Sequence, residues 1–103
     1  MPAERFKRAL SELANVGTCQ MKVFGNSMMP FVPDGSIVTL RRQDTYENGD
    51  IVFCKVRGRY IDAHRIVKVR HGSYLIANNK GRENGWTRTV YGKVVAVQKP
   101  KKG

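Results

Sequence analysis

Two side chains in this sequence could together form a nucleophilic centre, Ser27 and His64. Ser27 lies in a turn-forming stretch, residues 24–30, in which Gly25 permits unusual backbone angles and Pro30 fixes φ. A serine hydroxyl held on such a rigid turn can attack a carbonyl carbon if a neighbouring base takes its proton. The alternative is a turn serine that hydrogen-bonds its own backbone, which is the commoner role between two strands.

The sequence has two histidines that could act as the base. His71 precedes Gly72 in a predicted hairpin turn, which favours a solvated turn residue. His64 lies in the middle of a predicted strand, where it is either a general base or a histidine satisfied by its neighbours on a sheet face. An imidazole can accept a proton near neutral pH without the desolvation that a lysine base needs.

A histidine base must be oriented, because the ring nitrogen that faces the serine has to be unprotonated while the other nitrogen donates to a partner. Asp62 precedes His64 by two residues, so both side chains project from the same face of a strand. Asp62 is therefore one candidate for the orienting partner.

The elements that must position these residues are mainly strands. Residues 78–85 are polar and are predicted to form a loop, and a continuous apolar run predicts a buried strand at 50–56. Alternating apolar and polar residues predict further strands at 20–24, 36–40, 60–69, 73–77 and 91–97. Strands at this spacing, joined by short glycine-containing turns, indicate a mostly β fold, either a coiled antiparallel sheet or a partly open β-barrel.

One short N-terminal helix is predicted over residues 2–14, because Phe6, Leu10 and Leu13 recur at helical spacing and Gly17 can end the helix. It is too short and solitary for a helix-turn-helix DNA reader. The length of 103 residues indicates one domain. We expect a helix packed on the domain, a β domain and a basic tail, at residues 1–17, 18–98 and 99–103.

The net charge of +11 favours an anionic partner, which could be nucleic acid, an acidic protein or a membrane surface. The alternative is a solvated face that confers solubility. The longest apolar run, residues 94–97, is far too short for a transmembrane segment, and the charged amino end does not resemble a signal peptide. Cys19 and Cys54 lack the spacing of a metal site, so we expect no metal, and we expect no cofactor. We also expect no disulfide, because Cys54 lies inside an apolar strand, where a reduced thiol is typical.

Several motifs together resemble the LexA/signal-peptidase clan of serine proteases. Residues 27–30 (Ser-Met-Met-Pro), followed by residues 34–35 (Asp-Gly), are similar to the Ser-Met-x-Pro box of the clan. Residues 49–52 (Gly-Asp-Ile-Val), a hairpin and then residues 64–66 (His-Arg-Ile) are similar to the segment that carries its general base. LexA-like and bacterial signal peptidases have lysine there, whereas archaeal and eukaryotic signal peptidases have histidine.

The resemblance implies the LexA-like protease fold, with Ser27 as the nucleophile and His64 as the general base. It also implies an oxyanion hole made by backbone N–H groups at the Ser27 turn, with the Asn26 side chain as a helper. A peptide substrate would bind as an extended strand beside residues 20–24. The acid of the clan lies in a Gly-Asp-Asn box that reads Ala-Asn-Asn here, so Asn78 replaces it and Glu83 is the nearest acid downstream.

Two functions follow from this comparison. The first is a small soluble serine endopeptidase with a dyad or a triad, in which Asp62, Asn78 or Glu83 orients the histidine. The second is an inactive domain of this fold that binds nucleic acid or serves a structural or assembly role. We expect a cytoplasmic protein, or a virion protein if a phage encodes it. Without a membrane segment or an upstream domain, we expect neither precursor processing at a bilayer nor self-cleavage.

Overall fold

The structure is a computed structural model and describes residues 3–101. It confirms the predicted mostly β fold with one short helix. The first predicted helical residue, Pro2, and residues 102–103 of the predicted tail lie outside the described residues. The elements are α1 (Glu4–Asn15), β1 (Thr18–Lys22), β2 (Ile37–Arg41), β3 (Ile51–Val56), β4 (Arg59–Arg70), β5 (Ser73–Ala77), β6 (Glu83–Thr87) and β7 (Val90–Gln98).

The seven strands form one antiparallel sheet in the order β1-β2-β7-β3-β4-β5-β6. The sheet coils without closing into a barrel. At its coiled end, the Thr87 hydroxyl donates a hydrogen bond to the carbonyl oxygen of Lys55 at 2.6 Å. The N–H of Lys55 donates to the carbonyl oxygen of Thr89 at 3.0 Å. The end of β6 is therefore attached to β3, which agrees with the predicted coiled antiparallel sheet.

Helix α1 packs on the sheet through its apolar stripe. Ala9 and Leu13 are buried, and the ring of Phe6 stacks on Phe53 with 5.6 Å between centroids. A Cβ atom on Gly92 would lie 3.3 Å from Leu13 Cδ2, so the missing side chain lets the helix approach β7 closely. No helix within residues 3–101 has both the length and the apolar character needed to cross a membrane.

Strand β3 separates two apolar clusters, which explains its continuous apolar run. Phe53 points into the cluster beneath α1, whereas Val52 and Cys54 belong to the cluster inside the coiled half of the sheet. All three are fully buried. The members of the second cluster are Tyr46, Val52, Cys54, Val56, Ile66, Tyr74 and Ile76.

Strand β6 is the element that the sequence pattern missed, since residues 78–85 were predicted as one loop. The structure starts a strand at Glu83 and pairs Trp86 with Leu75 and Gly85 with Ile76. None of the residues of β6 is buried, so its own side chains provide no apolar alternation. Pairing with β5 stabilises this strand, and that interaction leaves no periodic signal in the sequence.

Candidate active site

Ser27 lies in the turn between β1 and β2, and the backbone around it is held by hydrogen bonds. The Asp34 carboxylate accepts from the N–H of Gly25 at 2.7 Å, where Gly25 has a φ of 100° that favours glycine. The N–H of Val32 donates to the carbonyl oxygen of Met28 at 2.9 Å. These contacts close the turn on both sides of Ser27, whose side chain is half-buried.

Asn79 fastens this turn to the loop between β5 and β6. Its backbone N–H donates to the carbonyl oxygen of Ser27 at 2.9 Å. Its side-chain Nδ2 donates to the carbonyl oxygen of Met29 at 2.7 Å. Sequence reasoning assigned no role to Asn79, although it occupies the last position of the box that departs from the clan pattern.

His64 lies on β4, and its ring contacts Asn84 on β6. The Nδ1 atom of His64 is 2.7 Å from Oδ1 of Asn84. An amide oxygen can only accept, so Nδ1 carries a proton in this contact, and Nε2 is the nitrogen with the lone pair in the neutral imidazole. Sequence reasoning missed Asn84, because finding it requires recognising β6 as a strand that folds back beside β5.

Ser27 and His64 line one narrow cleft of about 10 Å³, a space about as large as one water molecule. The structure therefore brings the two predicted catalytic residues to a common site, although 37 positions separate them in the sequence. The other residues that line the cleft are Val23, Phe24, Gly25, Met28, Val32, Asp62 and Ala63.

Comparison with known proteins shows the family to which this fold belongs. The model of the Peptidase S24-like family matches residues 4–95, which is most of the chain. The chain belongs to the Peptidase S24-like family. It is similar to the LexA repressor of Streptomyces coelicolor, with 39% identity over 80 residues. That alignment covers 75% of this chain and 34% of the relative, so the chain spans about a third of the length of the curated relative that it matches.

Within this S24-like domain, Asp62 makes contacts that join the helix to the Ser27 turn. Its Oδ2 accepts a hydrogen bond from Arg5 Nη1 at 3.2 Å and from the N–H of Phe24 at 3.3 Å. The alternation that predicted a common face for Asp62 and His64 does not hold, because β3 and β4 shift register there and β4 has an extra residue between Ile61 and His64. No hydrogen bond joins Asp62 to His64 in the part of the chain that the structure describes.

The other two predicted orienting residues lie near the site but have different contacts. Oδ1 of Asn78 accepts from the N–H groups of Lys80 and Arg82, each at 2.9 Å, and so shapes the loop before β6. Glu83 is exposed at the start of β6, directly before Asn84. Among residues 3–101, neither of them hydrogen-bonds to His64, and their orienting role stays a prediction.

The oxyanion hole predicted at the Ser27 turn requires backbone N–H groups that are not already used as donors. The N–H of Met29 is used within the turn, where it donates to the carbonyl oxygen of Asn26 at 3.2 Å. No hydrogen bond between described residues uses the N–H of Ser27 or of Met28. The Asn26 side chain is exposed. The oxyanion hole at this turn stays a prediction.

Two surfaces flank the Ser27–His64 cleft. Phe24, which lines the cleft, and Met29 and Phe31, which follow Ser27 in the same turn, are large apolar side chains that remain exposed. A wider groove of about 380 Å³ adjoins the cleft and shares His64 and Asp62 with it. The other residues that line this groove are Val56, Arg57, Arg59, Tyr60, Ile61 and Asn84. The surroundings of the site thus combine exposed apolar side chains with cationic side chains.

Proposed function

We propose that this S24-like domain is a serine endopeptidase that cleaves a peptide bond through a Ser27 acyl-enzyme. The observation that carries the proposal is that Ser27 and His64 line one cleft while Asn84 holds the proton of the imidazole on Nδ1. This leaves Nε2 as the basic nitrogen, which is the state that a serine nucleophile requires of its base.

The reaction then has two halves. Nε2 of His64 takes the Ser27 hydroxyl proton while Oγ attacks the carbonyl carbon, and the N–H groups of Ser27 and Met28 stabilise the oxyanion, with Asn26 as a helper. His64 gives the proton to the leaving amine as the peptide bond breaks. A water molecule, deprotonated by His64, then attacks the acyl carbon, and the new carboxyl group leaves as Ser27 recovers its proton.

A neutral amide is a chemically sufficient partner for the histidine. The Cys-His-Asn arrangement of papain-like proteases shows that an asparagine can orient a catalytic imidazole. We therefore propose Asn84 as the orienting residue, in preference to Asp62, Asn78 and Glu83. The short contact of 2.7 Å between Asn84 Oδ1 and His64 Nδ1 supports this assignment.

We propose that the substrate is a polypeptide segment bound in an extended conformation beside β1. This strand is an edge of the sheet, so its outer backbone groups can pair with an added strand, except for the Lys22 carbonyl oxygen, which accepts from Arg5 Nη1 at 3.0 Å. The exposed side chains of Phe24, Met29 and Phe31 would contact apolar side chains of the substrate. Met28, which is buried in the wall of the cleft, would limit its depth.

A mixture of peptides of diverse sequence tests this proposal. The wild-type protein is incubated with the mixture, and new peptide ends are identified by mass spectrometry. We expect cleavage that is lost in Ser27→Ala and in His64→Ala but retained in the control Ser11→Ala, whose hydroxyl lies on the exposed face of α1. Cleavage that survives Ser27→Ala, or a folded wild-type protein that cleaves nothing, would refute the endopeptidase.

The second candidate function is that of a non-catalytic domain that binds nucleic acid or has a structural or assembly role. The net charge of +11 favours it, and the matched relative is named a repressor. A folded protein without cleavage activity that nevertheless binds nucleic acid with a steep salt dependence would support this role. Weak association that salt does not change would count against it.

A further inference from the structure

A second groove, of about 300 Å³, lies where the β4–β5 hairpin meets the end of β6. Its lining consists of Arg70, His71, Ser73, Trp86 and Arg88, none of which lines the Ser27–His64 cleft. Trp86 is the only tryptophan of the chain, and it is 41% exposed. A large aromatic ring exposed among basic residues is not explained by the apolar core or by the proposed peptidase chemistry.

Two arginines place positive charge around this ring. Arg70 Cζ lies 5.6 Å from the centroid of the Trp86 ring. Arg88 Nη1 would lie 3.9 Å from a Cβ atom on Gly72, so this guanidinium reaches across the hairpin turn. Within residues 3–101, neither arginine forms a salt bridge, and no acidic side chain lines the groove.

We propose that this groove, defined by Arg70, His71, Ser73, Trp86 and Arg88, binds single-stranded nucleic acid. A base would stack on Trp86, and the guanidinium groups of Arg70 and Arg88 would contact the neighbouring phosphates. Single strands are bound by this combination of an aromatic platform with cations that follow the backbone. The net charge of +11 would add long-range attraction for a polyanion.

The aromatic ring selects this ligand among the possible anions. An acidic peptide would satisfy the arginines but would bring no base to stack on the exposed indole. A duplex already stacks its bases on one another and presents only phosphates and base edges. The proposal does not depend on the chemistry of Ser27, since the groove shares no residue with the cleft.

The fluorescence of Trp86 reports on the stacking directly, since no second tryptophan contributes. The intact 103-residue chain is titrated with oligothymidylate of about 12 nucleotides, within the usual site size. We expect quenching that saturates, and no quenching with an abasic oligomer of the same length, which keeps the phosphates but lacks the bases. Oligouridylate, in a parallel titration, distinguishes DNA from RNA as the preferred source of the stacked base.

Variants then separate the ring from the charges, with affinity measured by the anisotropy of a dye-labelled oligothymidylate. Trp86→Ala should weaken binding about ten-fold or more, and Trp86→Phe should restore part of the loss. Arg70→Ala and Arg88→Ala should each reduce the slope of log affinity against log salt by about 0.7. The matched control Arg41→Ala removes the same charge from an exposed position on β2, and it should stay within about two-fold of wild type.

Three results would overturn the proposal. The first is an equal loss of affinity in Arg41→Ala and Arg88→Ala, which would mean that only net charge matters. The second is equal affinity for polyglutamate or for duplex DNA of the same length. The third is absence of Trp86 quenching at low salt in a protein whose circular dichroism shows it to be folded.

Discussion

The chemistry that we propose for Ser27 depends on residues that come from three separate parts of the chain. The proposed nucleophile lies in the β1–β2 turn, His64 lies on β4 and Asn84 lies on β6. Motif and strand pattern predicted the first two. The third could not be predicted, because the contact between Asn84 and His64 depends on how β6 folds back beside β5, and polar residues 83–84 carry no pattern that encodes it.

Replacing Asn84 tests its role. In Asn84→Ala, Nδ1 of His64 loses its acceptor, so the reactive tautomer is no longer favoured, and the rate of Ser27 acylation should fall about ten-fold or more. In Asn84→Asp, a carboxylate favours the protonated imidazole, so acylation should require a higher pH than in wild type. Ser27 is labelled covalently with a fluorophosphonate probe, and the mass of the intact protein is followed over time. The labelling rate between about pH 6 and about pH 9 measures both effects.

Asp62→Asn is the comparison that distinguishes the two orienting candidates. It removes the ion pair with Arg5 but keeps an oxygen that can accept from the N–H of Phe24. Since this ion pair is partly exposed, we expect a stability change below about 1 kcal/mol and an acylation rate within about three-fold of wild type. A loss as large as that of Asn84→Ala would instead make Asp62 the orienting residue.

At the scale of elements, the apolar stripe of α1 predicted both the helix and the face that it buries. Leu13 is 2% exposed, and its Cδ2 lies 3.3 Å from the point that a Cβ atom on Gly92 of β7 would occupy. We expect Leu13→Ala to reduce the free energy of unfolding by about 2–5 kcal/mol, as large-to-small changes in cores do. Urea denaturation measures the change. The control Val16→Ala, at a position 73% exposed, should change it by less than about 0.5 kcal/mol. Equal effects would show that α1 does not dock in this way.

The elements differ in how well the sequence predicts them. Strands β3, β4 and β5 have apolar patterns that match the faces they bury, and the structure places them within one or two residues of the predicted bounds. Strand β6 lies at an edge of the sheet and buries little of its own surface. Strand β6 forms because it pairs with β5, so the residue pattern of β6 itself could not predict it.

At the scale of the whole molecule, the strand order is a property that no local segment encodes. Strand β7 comes last in the chain but lies inside the sheet, where it pairs with both β2 and β3. A chain of antiparallel hairpins was predictable from the turns. The insertion of β7 and the attachment of Thr87 to Lys55 are long-range contacts, and the sequence pattern could only restrict the fold to a coiled sheet or a partly open barrel.

The buried thiol of Cys54, inside the coiled sheet, should make the free energy of unfolding fall at alkaline pH. Burial raises the pKa of the Cys54 thiol from 9.0 to about 12. The unfolded chain therefore releases this proton first, so stability is unaffected below about pH 9 and falls as the pH rises from about 9 toward 12. At pH 10, the loss from Cys54 should be about 1 kcal/mol.

Urea denaturation at pH 7 and at pH 10 checks this dependence. The difference between the two pH values should be smaller in Cys54→Ala than in wild type by about 1 kcal/mol, whatever the cavity costs at either pH. An unchanged difference would mean that the thiol is not buried in the folded protein.

The central claim is that His64, oriented by Asn84, activates the Ser27 hydroxyl. Labelling with a fluorophosphonate probe, read as a single mass adduct on the intact folded protein, tests this claim most directly. We expect wild type to be labelled and both Ser27→Ala and His64→Ala to remain unlabelled, with Ser11→Ala labelled like wild type. An adduct that survives Ser27→Ala, or no adduct on folded wild-type protein between about pH 6 and about pH 9, would contradict the claim.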